Sequence, residues 1–139
     1  MKYKNFFIGV IGVIAVLFIL SGCASSLISR YDPETHQNLA YLKPDIVIAY
    51  NIYQNDIINP IVVSTINKKF KYILSYERSK GNPNSNTVKQ IEIIQKMFLR
   101  HAKERVDQEK WTKKQATSKL KNILVAIDIA IDTELSKNK

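Results

Sequence analysis

Between Thr87 and Leu135 apolar residues recur at steps of three and four, and that spacing restricts this part of the chain to amphipathic helices. Val88, Ile91, Ile94, Phe98, Ala102 and Val106 form one continuous stripe over a helix expected from Thr87 to about Lys110. Its opposite side carries Lys89, Lys96, Lys103 and Lys110 at seven-residue intervals. These lysines admit two readings, a ridge for polyanions or a solvated face. The second is favoured, because Glu92 and Lys96, Arg100 and Glu104, and Lys103 and Asp107 are opposite charges four residues apart. A new helix starts at "WTKKQA": Thr112 and Gln115 have capping-box spacing, and Trp111 precedes the cap where it can pack on Ala116. The lone tryptophan is therefore read as structural. Ala116, Leu120, Ile123 or Leu124, Ile127, Ile131 and Leu135 supply the stripe of this last helix.

The four prolines organise the first half. In "YDPET", Asp32 can cap a helix whose first position is Pro33, where the missing N–H costs nothing. Leu39, Leu42, Ile46, Ala49 and Tyr53 continue it at helical spacing, and Pro44 either kinks the helix or splits it in two. Asn59 and Pro60 cap a second helix with Ile66, Phe70, Ile73 or Leu74 on its inner face. "PIVVSTI" is β-branched enough for a strand, but no second strand-like run exists to pair with it, so helix is the expectation. Residues 79–86, "SKGNPNSN", read as a loop. The fold class that follows is all-α, an antiparallel bundle of about four helices with short connections.

The N-terminus has a different character. Lys2 and Lys4 precede an uncharged run from Phe6 to Leu20, which has the basic start and apolar middle of a signal peptide and is short for a helix that must cross about 30 Å of hydrocarbon. Leu20, Ser21, Gly22 and Cys23 follow. This quartet resembles the lipobox of bacterial lipoproteins, an aliphatic residue, two small ones and the cysteine. The resemblance implies that residues 1–22 are a signal peptide, that the Cys23 thiol receives a diacylglycerol, and that cleavage before Cys23 frees an amine for acylation; an uncleaved signal anchor is the alternative. Two or more acyl chains hold a protein stably where one would not. Residues 23–31 would then be the lipidated cysteine and its tether, and 32–139 the helical domain. The tether "ASSLISRY" reaches at most roughly 30 Å at about 3.3–3.6 Å per residue, which keeps the domain close to its membrane. The segment "SSLISRYDPETHQNLAYLK" is similar to the start of small helical lipoproteins of Gram-negative bacteria, and Ala24, in place of the aspartate that resembles an inner-membrane retention signal, implies the outer membrane, facing the periplasm.

Cys23 is the only cysteine, so its lipidation would exclude cysteine catalysis, thiolate-bound zinc and a disulfide scaffold. Cleavage of 22 residues from 139 leaves 117, one small domain, and the loss of Lys2 and Lys4 takes 21 basic side chains to 19 against 12 acidic, a net of +7. On an exported domain that balance points to anionic headgroups, lipopolysaccharide or acidic proteins and not to nucleic acid, unless it serves only solubility. His36 and His101 lie in separate helices without a second ligand at metal spacing, and Asp32, four residues before His36, is already used as a cap. No nucleophile elbow, zinc-protease motif or glycine-rich phosphate loop is present. The expectation is a protein that is not an enzyme and has no cofactor or metal.

Tyr31, Tyr41, Tyr50, Tyr53, Tyr72 and Tyr76 all fall in the first half of the exported part, where tyrosines serve either as half-buried bundle edges or as contact residues. Tyr72 and Tyr76 beside Lys68, Lys69 and Lys71 are the candidate contact surface, because no acidic residue lies four positions away to neutralise these lysines. Two functions are open: an accessory module that binds an envelope protein, which is favoured, and a lipoprotein that binds a lipid, glycan or other small molecule. A closed core with an exposed tyrosine patch would separate the first from the deep pocket that the second requires.

Overall fold

Each expected stripe becomes a helix, and three of the four helices begin where their capping residues place them. A computed structural model describes residues 29–55 and 58–137; the signal segment, the lipobox residues Leu20, Ser21 and Gly22, and Cys23 lie outside the described residues. The helices are α1 (Pro33–Asn55), α2 (Pro60–Ser79), α3 (Ser85–Asp107) and α4 (Lys113–Leu135), with a 3₁₀ turn at Asn82–Asn84. Asp32 Oδ1 accepts the Glu34 N–H at 2.8 Å, Asn59 Oδ1 accepts that of Ile61 at 2.9 Å, and Thr112 and Gln115 complete the capping box. Gly81, at φ 82°, makes the left-handed step that turns the chain from α2 into the 3₁₀ turn.

The described residues form an all-α, antiparallel four-helix bundle. Cross-helix contacts fix every direction: Thr35 meets Glu77 and Asp45 meets Lys69 between α1 and α2, and Arg78 meets Glu92 and Asn67 meets Gln95 between α2 and α3. Gln90 meets Thr133 and Glu104 meets Lys119 between α3 and α4, and Lys43 meets Asp128 between α4 and α1. Leu39, Leu42, Ile46, Phe70, Ile91, Phe98, Ile123 and Ile127 fill the centre and are almost wholly buried. "PIVVSTI" is helical, and the described residues contain no strand. Pro44 does not split α1 and sits on its exposed side.

Two stripe positions differ from expectation for one reason. Val106 is 60 % exposed and Leu135 is 44 % exposed, while Arg105 and Glu134 are buried in their stead. Glu77 does the same at the end of α2. Continuing the period inward from Phe98, Ala130 and Leu74 leads to these charged residues, so three helices end their buried stripes in a charge. The Thr87–Lys110 helix also shifts to Ser85–Asp107, starting directly from the 3₁₀ turn. The pairing expected along α3 is only partly present: Arg100 reaches Glu104 at 3.6 Å, but Glu92 turns to Arg78 at 2.7 Å, and Lys96 and Lys103 make no ion pair among the described residues.

Candidate functional site

The expected contact residues divide between two places. Lys68, Lys69 and Tyr72 lie on an α1–α2 groove of about 470 Å³, floored by Leu42 and Ile73 and walled by Asn38, Tyr41 and Thr65. Tyr41 is 69 % and Tyr72 60 % exposed, so the groove offers two rings to solvent above a closed core. Asn38 Nδ2 is buried there without an acceptor. Lys71 is exposed beside the groove and does not line it. The lysine cluster is also less free than its sequence neighbours indicate: Lys69 is ion-paired with Asp45 of α1, a partner 24 residues away. Lys68 and Lys71 have no such partner among the described residues.

Tyr76 belongs elsewhere. Its hydroxyl donates to Asp32 Oδ2 at 2.8 Å, and the Lys80 ammonium lies 4.1 Å from its ring centre. That bond, with burial behind it, pushes the Tyr76 phenol well up. Burial would raise Asp32, but bonds from Lys80, Tyr76 and the Glu34 N–H together outweigh it and lower the carboxyl to about 2.

Tyr76 and Asp32 edge a polar network that closes the end where the chain enters the bundle. Glu77, wholly buried, accepts from Thr35 at 2.6 Å, from Lys80 at 3.0 Å and from the Asn84 amide. Glu134, 1 % exposed, accepts from Lys137 at 2.5 Å and from the Asp32 N–H at 2.8 Å. Ser29 donates to Asn84 Oδ1 at 2.7 Å and accepts from Lys137 at 3.2 Å. Residues 29–32 are thus fastened to α4 and to the 3₁₀ turn.

The opposite end is closed by rings. Tyr50, Tyr53, Phe98, His101 and Trp111 pack with centroid separations of 5.4–6.5 Å. His101, 3 % exposed, is bonded through Nδ1 to the Tyr50 hydroxyl at 2.5 Å. Burial, helped by the Lys119 charge, lowers this imidazole to about 4, and burial pushes both phenols up. With Tyr50 as donor, the neutral ring carries its proton on Nε2. Arg105 donates to the Tyr53 carbonyl at 2.7 Å and to the Glu109 carbonyl, so it caps the last turn of α1 with positive charge.

Sequence spacing foresaw neither end, because each gathers residues from elements far apart along the chain. The usable signal was the continued period to Glu77, Arg105 and Glu134. Among the described residues no group of three His, Cys, Asp or Glu side chains is placed to hold a metal, and no helix is long and apolar enough to cross a membrane. No protein-family model, curated protein or solved structure matches the chain.

Proposed function

We propose that this chain is a lipid-anchored protein of the bacterial envelope that acts as an interaction module without catalysis, using the α1–α2 groove to seat apolar side chains of a protein partner. The observation that carries this reading is the groove itself, an open strip with Tyr41 and Tyr72 exposed over a closed core. Tyrosine supplies contact area at little conformational cost, and exposed aromatic patches mark interfaces. The small-molecule alternative is weaker: the volume lies in the pocket range, but Tyr41, Thr65, Lys68, Lys69 and Tyr72 are all exposed and enclose nothing. The anchoring part rests on Leu20 to Cys23.

Two measurements test the proposal. Cys23→Ser should lose incorporation of a fatty-acid analogue in cells; label retained on the variant would remove the anchor from the reading. A photocrosslinking side chain at Tyr72 should capture a defined protein, with capture lost in Tyr41→Ala, and an adduct unchanged by Tyr41→Ala would place the contact outside the groove.

A further inference from the structure

The positive charge is not spread over the bundle. Of the 19 basic and 12 acidic side chains after Gly22, residues 96–121 contain nine basic and three acidic, a formal net of +6, and everything else nets +1. These residues are the second half of α3, its connection to α4 and the first turns of α4. Because α3 and α4 run antiparallel, the whole stretch folds back on itself at the end remote from Ser29. Internal pairing removes little of the charge. Glu104 is held by Lys119 and Arg100, and Arg105 is buried. Lys96, Lys103, Lys110, Lys113, Lys114 and Lys121 are exposed and make no ion pair among the described residues.

A depression of about 430 Å³ lies in this surface, with Arg100, Lys114 and Lys119 around it, the hydroxyls of Thr112 and Ser118 on its wall, and buried His101 at its base. Lys114 and the Ser118 hydroxyl can donate into it, whereas Arg100 and Lys119 are shared with Glu104 and the Thr112 hydroxyl donates to Gln115 Oε1. No carboxylate lines the depression.

We infer that this distal end docks an acidic segment of a partner protein. Charge complementarity sets the sign, since an excess this concentrated steers and holds an anionic partner. Two features select a protein over other polyanions. Trp111, Tyr50 and Tyr53 are all turned inward, so among the described residues the end has no exposed ring on which a sugar or a base would stack. Its exposed cations are lysines apart from Arg100, so the forked donors that clasp phosphate are nearly absent. Lys96 to Lys103 and Lys114 to Lys121 each span seven residues, about 10 Å along a helix, a repeat that carboxylates on an acidic helix can match. Val106 adds an exposed apolar contact in the same region. The surface is separate from the α1–α2 groove, and the inference holds whether or not Cys23 is lipidated.

The test is a binding titration of the full chain, in phosphatidylcholine nanodiscs, with poly-L-glutamate, at low and at physiological ionic strength. Lys114→Glu with Lys121→Glu should weaken binding at least about tenfold, because both charges lie in the docking surface. Arg30→Glu with Lys89→Glu changes the net charge by the same amount in the other half of the bundle and should weaken it less than about threefold. Both pairs are exposed, and Lys114 is in the first turn of α4, where a carboxylate favours the helix, so thermal melts of both variants should match the parent. Equal losses from the two variants would reduce the effect to diffuse attraction and overturn the docking site. Absence of poly-L-glutamate binding at low salt would overturn it outright. Tighter binding to polyphosphate or to phosphatidylglycerol vesicles would replace the acidic protein with a phosphate-bearing partner.

Discussion

The two ends of the bundle are closed by opposite means. Where the chain enters, Glu77 and Glu134 are buried among Thr35, Asn84, Lys80 and Lys137, and every charge has an internal partner. At the far end Trp111, Tyr50, Tyr53 and Phe98 exclude water by area, and apart from buried Arg105, which caps α1, the basic side chains are left outside. A polar closure is directional: it fixes residues 29–32 in one place and fails as a unit when one member is removed. A ring closure needs no partner beyond shape, which frees the surrounding lysines from structural duty. One end fastens residues 29–32, the other presents charge. α1 and α4, at 23 residues each, separate the two by about 34 Å.

The largest test of this contrast is Trp111→Ala, which should cost about 3–5 kcal/mol by leaving a cavity among the rings. Chemical denaturation would measure it, and a loss below about 1 kcal/mol would mean that the rings do not close that end. Glu134→Ala should follow at about 3 kcal/mol, since it strips Lys137 and the Asp32 N–H of a buried acceptor. The same variant should also speed proteolysis at Arg30, because Asp32 loses its hold on α4; unchanged cleavage would separate the network from the tether.

Acid should attack the two ends in sequence. His101 is lowered to about 4 from an ordinary 6.5, so the unfolded chain takes up its proton first, and stability falls as pH drops from 6.5 towards 4 by about 3 kcal/mol. Tyr50, Glu104, Lys119 and Arg100 are the titratable and charged groups around it. His101→Gln keeps an acceptor for Tyr50 and should flatten that part of the profile. A profile identical to the parent's would show that the imidazole is not held neutral. Asp32, lowered from 3.8 to about 2, adds stability that is present above 3.8 and is lost only between 3.8 and 2, a smaller loss than that from His101 because solvent screens its ion pair. The smallest effect belongs to the capping box: Thr112→Ala should cost about 1 kcal/mol and leave binding at the α1–α2 groove unchanged.

How much of this was legible in the sequence differs by feature. The caps at Asp32, Asn59 and Thr112 and the stripes of α1 and α2 were readable because each is a local pattern of one helix. Lys69 was misjudged because its neutralising partner, Asp45, is 24 residues away on another helix. Tyr72 and Tyr76 looked equivalent at a spacing of four, yet one is 60 % exposed on the groove and the other is bonded to Asp32. Tyr53 is core, as its place on the α1 stripe indicates, but Tyr50, off that stripe, is core as well, a distinction that period alone does not make when a ring can pack inward or lie half-exposed.

The sequence by itself determined that the described part of the chain is helical, where α1, α2 and α4 begin, most of the buried stripes and that residues 96–121 carry nearly all the excess charge, because each of these depends on residues within a few turns of one another. Only the tertiary structure decided that Glu77 and Glu134 meet in one buried network, that Tyr41 joins Lys68 and Tyr72 across α1 and α2, and that the basic run doubles back onto one end. Those are relations between helices, fixed by how four apolar stripes share one core, and no spacing along a single helix encodes them.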